Sequence, residues 1–291
     1  MVAERLEADL VRLRAPNPGP LTGDGTNSYI LGRERLVIID PGPTSRPHLA
    51  ALLAAVDDRP VDRILVTHSH LDHSPLARDL SQLTGAPVAA FGPTGAGRSA
   101  IMEELAKDSE IGGGEGADPD FVPHEALPDG TQFELEGDTI TALHTPGHFG
   151  NHMCFAWRDA LFSGDHVMGW ATTLISPPDG DLTDFMSSCE RLRTRAGRVY
   201  YPGHGTQIDD PISRVTWLMD HRRSREKQVL NVLTDGPATP GSLTQSIYTD
   251  VAPSLWPAAE RNVLAHLIDL TTRGITAPKA QLSAHCEFHL T

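Results

Sequence analysis

The sequence predicts a mixed α+β fold that carries a small helical module at its C-terminal end. The 291 residues are 39% hydrophobic and 21% charged, a composition typical of globular proteins. Up to about residue 205, short apolar runs typical of strands alternate with segments of helical periodicity. Beyond Gly203-His204-Gly205 the pattern becomes helical, and we therefore expect two domains, formed by residues 1–210 and 211–291.

The strands of the first domain are predicted where runs rich in β-branched, aromatic or leucine residues stand between turn residues. The first two runs are separated by a turn at residues 32–35, and Asp40-Pro41-Gly42 ends the second run. In chain order, the expected strands cover residues 29–31, 36–39, 63–67, 87–91, 132–135, 139–143, 153–157, 160–163 and 198–201.

Helices are predicted where apolar residues recur every three or four positions, because that spacing places them on one face. Leu49, Leu52 and Val56 show this spacing, and Gly85 follows a second such segment as a helix-ending residue. The expected helices of the first domain cover residues 47–56, 75–83 and 184–195.

The C-terminal part contains three more helical segments and a strand-like tail, over residues 212–233, 242–248, 257–272 and 281–290. Three helices with a terminal hairpin are typical of a small winged-helix module. A helical cap on the main domain matches the same pattern, so both interpretations stay open.

Charge and composition narrow the classes of function. The net charge is −14, and residues 1–210 hold 16 basic and 31 acidic residues, a balance of −15 that disfavours a nucleic-acid partner. No apolar run approaches the roughly 20 residues of a membrane span, and the first residues do not resemble a signal peptide. The three cysteines lie far apart, which argues against a disulfide framework, and we expect a cytoplasmic protein.

A histidine-rich motif, Thr67-His68-Ser69-His70-Leu71-Asp72-His73, follows the predicted strand at residues 63–67. His68 and His70 are two positions apart and would point the same way in extended backbone, and Asp72 and His73 would open the following helix. Three imidazoles and a carboxylate within six residues are poorly explained as ordinary packed side chains. The motif therefore predicts a metal site.

Three isolated groups follow later strands, at His148, Asp165 and His204. Each stands beside a glycine, which permits tight turns and close approach. Loops at strand ends commonly carry functional residues. Together with the first motif, these residues would complete the ligand sets of two metals.

The pattern H-x-H-x-D-H with a distant His, Asp and His resembles the metallo-β-lactamase superfamily. The resemblance covers about residues 29–205 and implies a four-layer αββα sandwich with the site between the sheet edges. It also implies two metal sites. One metal would be held by His68, His70 and His148, the other by Asp72, His73 and His204, and Asp165 would bridge them.

These ligand types suit two Zn²⁺ ions per chain, although Mn²⁺ or Fe²⁺ would also be accepted. Two such metals share and activate a water, which predicts a hydrolase in which a bridging hydroxide attacks an ester-like acyl bond, as in a thioester or lactone. Asp72 is expected to orient this water or accept its proton. The expected partner is therefore a small acyl substrate. The sequence indicates neither the natural substrate nor the oligomeric state.

Within the superfamily, the chain is more similar to the β-lactamase-like protein 2 and glyoxalase II-like group than to true β-lactamases. True β-lactamases of one main class carry a cysteine ligand where this chain has Asp165. The motifs Gly25-Thr26-Asn27-Ser28-Tyr29 and Tyr201-Pro202-Gly203-His204-Gly205 support the subgroup. His152, four residues past His148, is expected to donate a hydrogen bond to substrate or to have a structural role.

Other functions stay open. A metal-dependent endoribonuclease acting on single-stranded RNA is favoured by the subgroup and the winged-helix-like tail, but opposed by the acidic balance and the lack of a basic and aromatic stripe. A non-haem iron oxidoreductase of the same fold is a further alternative. A binding module with an inactive site is opposed by the complete ligand set.

Overall fold

Residues 3–195 and 197–291 are described in the computed structural model. The first sheet contains seven strands that lie side by side in chain order. The first four strands pair antiparallel, and the remaining pairs are parallel. The strands are β1 (Glu4–Glu7), β2 (Leu10–Arg14), β3 (Asn27–Leu31), β4 (Leu36–Ile39), β5 (Val61–Leu65), β6 (Val88–Ala90) and β7 (Glu125–Ala126).

The second sheet contains five strands in the order β12-β11-β10-β9-β8. Its strands pair antiparallel, apart from the parallel pair of β11 and β12. The strands are β8 (Gln132–Leu135), β9 (Asp138–His144), β10 (Met153–Trp157), β11 (Ala160–Gly164) and β12 (Val199–Pro202).

The two sheets pack face to face through a shared apolar core, in which the rings of Tyr29 and Phe162 lie 5.1 Å apart, edge to face. On the outer face of the first sheet, α1 (Arg46–Val56) and α2 (Leu76–Thr84) cover a second core. On the outer face of the second sheet, α4 (Leu182–Arg193) and the first half of α5 (Pro211–Leu233) cover a third. This arrangement confirms the predicted α+β class and its four αββα layers.

The C-terminal part has a core of its own, formed by the second half of α5, α6 (Pro240–Ile247), α7 (Trp256–Thr272) and the antiparallel strands β13 (Thr276–Pro278) and β14 (Phe288–Leu290). The short helix α3 (Ala100–Leu105) of the main domain contributes Met102 to this core. Helix α5 contributes Val215 to the core under the second sheet and Val229 to the C-terminal core. The domain boundary between residues 210 and 211 stays a prediction.

Strands β1 and β2 were not among the predicted elements. Their sequences are rich in charge, and Arg12 of β2 is buried through an ion pair of 2.5 Å with Glu4 of β1. Charged side chains on the outer strands of a sheet oppose pairing with other chains, and they also hide the alternating pattern of a strand. Across the described ranges, none of the helices combines the length and apolarity that crossing a bilayer requires.

Candidate metal centre

The histidine-rich motif lies in the loop between β5 and α2. Helix α2 begins only at Leu76, so the expectation that Asp72 and His73 open this helix is wrong. Residues 70–74 form a turn before the helix, in which the N–H groups of His73 and Ser74 both donate to the carbonyl of His70, at 2.9 and 3.0 Å. This turn directs Asp72 and His73 toward the two preceding histidines.

The other three predicted residues follow strands of the second sheet. His148 lies four residues after the end of β9, Asp165 directly follows β11, and His204 lies two residues after β12. The parallel pairing of β11 with β12 places Gly164 opposite Pro202, which brings Asp165 and His204 to the same edge. The structure therefore brings all seven predicted residues together between the two sheets.

One group contains His68, His70 and His148, whose ligand atoms lie within 4.8 Å of one another. The Nδ1 atom of His70 lies 2.9 Å from Nε2 of His68 and 3.2 Å from Nε2 of His148. Burial lowers the pKa of all three imidazoles, that of His70 to about 3, so they are neutral near pH 7. Three neutral imidazoles that converge in this way are suited to hold a cation.

A second group contains Asp72, His73 and His204. Oδ2 of Asp72 lies 3.1 Å from Nε2 of His204 and 3.4 Å from Nε2 of His73. Burial is the largest single effect on His204 and opposes its charge, but the negative charge of Asp165 and the hydrogen bonds to Asp165 and Asp72 together outweigh burial and raise the pKa of His204 to about 10. The carboxylates thus create a negative environment that a bound cation would neutralise.

Asp165 lies between the two groups. Its Oδ2 is 3.2 Å from Nε2 of His204 and 3.9 Å from Nε2 of His148, while its Oδ1 is 3.5 Å from Nε2 of His73. The carboxylate is buried, and the charges of His204 and His73 hold its pKa well below the ordinary value against the effect of burial. This position is the one that a bridging ligand would need.

Two atoms of the centre support metal binding independently of the resemblance. Nε2 of His73 and Oδ1 of Asp165 are buried and have no hydrogen-bond partner among the residues described. Buried polar atoms without partners are costly, and a bound ion is one arrangement that would satisfy both of these atoms. The opposite nitrogens of His73, His148 and His204 face oxygens of Asp40, Leu174 and Gly25, at 2.8, 2.7 and 3.3 Å. Such outer contacts orient metal-binding imidazoles.

Asp40 was missed as a functional residue, because Asp40-Pro41-Gly42 is predicted only to end a strand. Its carboxylate accepts hydrogen bonds from the backbone N–H and the hydroxyl of Thr67, at 2.7 and 2.8 Å, and contacts Nδ1 of His73 at 2.8 Å. This arrangement favours the tautomer of His73 that carries its proton on Nδ1, leaving Nε2 to face the centre. The signal available in the sequence was an aspartate directly after an apolar strand run.

Gly203 makes the close approach of these groups possible. A Cβ atom at this position would lie 2.3 Å from Oδ1 of Asp165 and 2.7 Å from Cε1 of His73. The backbone is held on both sides, since Gly203 N–H donates to Gly164 at 2.8 Å and its carbonyl accepts from Asn27 at 2.7 Å. A side chain here would therefore displace the groups of the centre.

His152 lies behind the centre and is fully buried. Its Nδ1 is 3.0 Å from the hydroxyl of Thr145, and its Nε2 has no hydrogen-bond partner among the residues described. A hydrogen bond to substrate would require the ring to become uncovered. The substrate role of His152 stays a prediction.

The C-terminal helices hold the segment formed by residues 173–176 against the centre. Asn262 of α7 accepts hydrogen bonds through Oδ1 from the backbone N–H of Ile175, at 3.1 Å, and from Arg222 of α5, at 2.9 Å. Arg222 also donates to the carbonyl of Thr173. The next carbonyl, of Leu174, contacts Nδ1 of His148, so this segment connects the C-terminal part to a predicted metal ligand.

Replacing Asn262 with alanine is expected to lower the free energy of unfolding by about 1–3 kcal/mol, because two donors lose their acceptor. Thermal unfolding followed by circular dichroism measures this loss as a lower Tm. Asn231→Ala is the matched control, because Asn231 is exposed on α5. Equal Tm values for the two variants would contradict the role given to Asn262.

Comparison with known proteins gives two family matches. The profile of the Metallo-beta-lactamase superfamily matches residues 21–204, which include all seven residues of the centre. The profile of the Beta-lactamase associated winged helix domain matches residues 239–281, which cover α6, α7 and β13. The C-terminal part is therefore a winged-helix domain, as predicted, and the interpretation as a mere helical cap is set aside.

Two relatives illustrate the sequence similarity. The chain is 30% identical over 285 residues to the Beta-lactamase-like protein 2 homolog of Drosophila melanogaster, covering 93% of this chain and 90% of that protein. It is 31% identical over 280 residues to the Atrochrysone carboxyl ACP thioesterase of Aspergillus fumigatus, covering 89% of this chain and 81% of that protein.

Solved structures share the fold over nearly the whole chain. A metallo-beta-lactamase family protein from Thermus thermophilus is similar with a TM-score of 0.79 and 25% identity, covering 99% of this chain and 100% of that one. A beta-lactamase domain protein from Burkholderia ambifaria gives a TM-score of 0.82 at 21% identity, covering 99% and 93%. The second likeness concerns the fold alone.

Proposed function

The chain belongs to the metallo-beta-lactamase superfamily as a hydrolase, and from that premise we propose that it uses two zinc ions to hydrolyse an ester-like acyl bond. The single observation that carries this proposal is the placement of Asp165 between two groups of three metal-competent side chains. The reaction adds water across the bond, so that a thioester gives a carboxylic acid and a thiol.

His68, His70 and His148 would hold one ion, Asp72, His73 and His204 the other, and Asp165 would contact both. Imidazoles and carboxylates without a thiolate suit zinc, and Mn²⁺ or Fe²⁺ use similar donors. When bound, such a pair lowers the pKa of a shared water and polarises the acyl carbonyl. No side-chain nucleophile is required for this chemistry.

Asp72 would act on the proton of the attacking water. Its side chain is 24% exposed, compared with 9% for Asp165, so it is the more accessible of the two carboxylates in the centre. The hydroxyl of Thr26 donates to Oδ2 of Asp72 at 2.9 Å and fixes its orientation. An oriented, partly exposed carboxylate is suited to accept a proton and release it to solvent.

An acyl substrate is supported by relatives that are named thioesterases, two of which come from species of Aspergillus. The acidic balance of residues 1–210 disfavours a phosphodiester backbone as substrate. The donors of a second metal, Asp72, His73 and His204, are all present, and an oxidoreductase with a single iron would not need them. Ribonuclease and redox activity are therefore treated as the competing outcomes of the experiment that follows.

Removal of metal is expected to abolish hydrolysis, and zinc should restore it, because the seven side chains of the centre are proposed as metal ligands and none of them is proposed as the nucleophile. The chain is purified, treated with a chelator, dialysed, and reloaded with Zn²⁺, Mn²⁺ or Fe²⁺. Turnover is then measured on a thioester, a lactone and a short single-stranded RNA, together with elemental analysis of the bound metal.

We expect about two zinc ions per chain and turnover of the thioester or lactone. Full activity in the chelated protein would contradict metal-dependent hydrolysis. A content near one zinc per chain would contradict the bridging role of Asp165. Cleavage of RNA without acyl hydrolysis would favour the ribonuclease, and activity that depends on iron and its redox state would favour the oxidoreductase.

A further inference from the structure

We propose that the apolar cavity between the winged-helix domain and the metal centre binds the acyl chain of the substrate, selecting a medium-length or ring-containing acyl group over acetyl. This inference rests on the proposed acyl hydrolysis and specifies its substrate class. The cavity has a volume of about 510 Å³, within the ~300–1,000 Å³ of typical small-molecule sites.

The walls of the cavity are predominantly apolar and come from both domains. The main domain contributes Leu21 and Leu174, and the winged-helix domain contributes Leu255, Pro257 and Ala258. Leu255 immediately precedes α7, and the two other residues lie in its first turn. Each methylene buried against such a surface contributes about fourfold to affinity.

The cavity adjoins the metal centre through its lining segments. The carbonyl of Leu174 contacts Nδ1 of His148 at 2.7 Å. Glu115 also lines the cavity, and the next residue is Gly116. The carbonyl of Gly116 accepts a hydrogen bond at 2.7 Å from the N–H of Leu71, the residue that precedes Asp72. The cavity wall is therefore one contact away from His148, and a neighbouring segment of the wall is bonded to the residue that precedes Asp72.

Exposed apolar side chains flank the same region. Leu21 and Leu71 are 54% and 51% exposed, and Trp170 is 47% exposed. The indole of Trp170 lies against Gly205, the residue after His204, where a Cβ atom would come within 2.6 Å of the ring. Apolar side chains left exposed around a site are typical of surfaces that receive an apolar ligand.

Three polar side chains of the cavity wall, those of Arg261, Ser176 and Glu115, are bonded to one another or to backbone carbonyls. Arg261 donates to the hydroxyl of Ser176 at 2.8 Å and to the carbonyl of Ile111 at 2.6 Å, and it also donates to Pro177. The hydroxyl of Ser176 donates to Glu115 at 3.0 Å. The guanidinium is thus committed to protein acceptors, which favours an uncharged acyl chain over a phosphate at this position.

The test narrows the cavity by Ala258→Phe and compares acetyl and octanoyl thioesters of the same thiol, using the zinc-loaded full chain. Ala54→Phe is the matched control, because Ala54 is exposed on α1, away from the cavity. We expect the wild type to favour octanoyl over acetyl at least tenfold in kcat/KM. Ala258→Phe should lower kcat/KM for the octanoyl thioester at least tenfold and change kcat/KM for the acetyl thioester by less than twofold. Ala258→Leu should give an intermediate loss for the octanoyl thioester.

A binding measurement separates this proposal from the proposed function. Calorimetry on the full chain as purified uses an S-octyl thioether of the same thiol, which cannot be hydrolysed, and we expect Ala258→Phe to weaken its binding at least tenfold. If thioesters are hydrolysed and Ala258→Phe affects both lengths equally, the acyl-chain site is wrong and the hydrolase stands. If the thioether binds as expected but no thioester or lactone is hydrolysed, the proposed function fails and the site stands.

Discussion

Replacing Asp72 with alanine is expected to lower turnover about 10³-fold, the upper range for removing one preorganised group from a catalytic site. The change would remove both a proposed ligand of the second ion and the carboxylate proposed to accept the proton. Oδ2 of Asp72 lies 3.1 Å from His204 and 3.4 Å from His73, so each of these two imidazoles would lose one of its acidic neighbours, while Asp165 would remain. The zinc content should therefore fall from two ions toward one.

Steady-state kinetics and elemental analysis check this result in parallel. Asp79→Ala is the matched control, because Asp79 is exposed in the first turn of α2 and lies seven residues further along the chain. The control should retain both its activity and its zinc. An Asp72→Ala protein that keeps full turnover would overturn the role assigned to this carboxylate.

Replacing Gly203 with alanine should have an effect of similar size, although it removes no functional group. The added methyl carbon would lie 2.3 Å from Oδ1 of Asp165 and 2.7 Å from Cε1 of His73, far inside van der Waals contact. The backbone cannot move away easily, because both peptide groups of Gly203 are hydrogen-bonded. We expect a loss of about 1–3 kcal/mol of stability from overpacking, together with loss of zinc and of at least about 10²-fold in turnover.

Gly95→Ala provides the control for this change, because its Cβ would approach only the tip of the flexible Arg98 side chain, at 3.4 Å. Thermal unfolding, zinc content and kcat/KM are measured for both variants. If Gly203→Ala matches Gly95→Ala in all three, the close packing of Asp165 and His73 is not required for the centre.

The helices and strands that could be predicted are mostly those marked by a local sequence pattern. Strands β8 and β10 have the predicted bounds, and α7 begins one residue before the prediction, because apolar periodicity and turn residues mark these elements directly. Strands β1 and β2 lack that signal, since their sequences are rich in charge and Arg12 is buried while it is paired with Glu4. The order of the strands within each sheet could not be predicted, because it depends on pairing between residues far apart in the chain.

For the candidate site, the sequence predicts which seven side chains meet, because the spacing of His68 to His73 resembles that of a known family. Their roles as metal ligands stay predictions. The contacts around them were not predictable, since they join residues far apart in the chain: Asp40 contacts His73 across 33 positions, and Asn262 contacts Ile175 across 87. Such contacts exist only once both sheets and the winged-helix domain are packed.

The division of the centre between the two sheets has a consequence for the lifetime of the protein. Residues 68–73 follow a strand of the first sheet, whereas His148, Asp165 and His204 follow strands of the second. Metal ions held by residues of both sheets would stabilise the folded state, since a ligand that binds only the folded state shifts the unfolding equilibrium toward it. Proteases would then cut the loaded chain more slowly than the stripped one, and the metal supply of the cell would control the abundance of the protein as well as its activity.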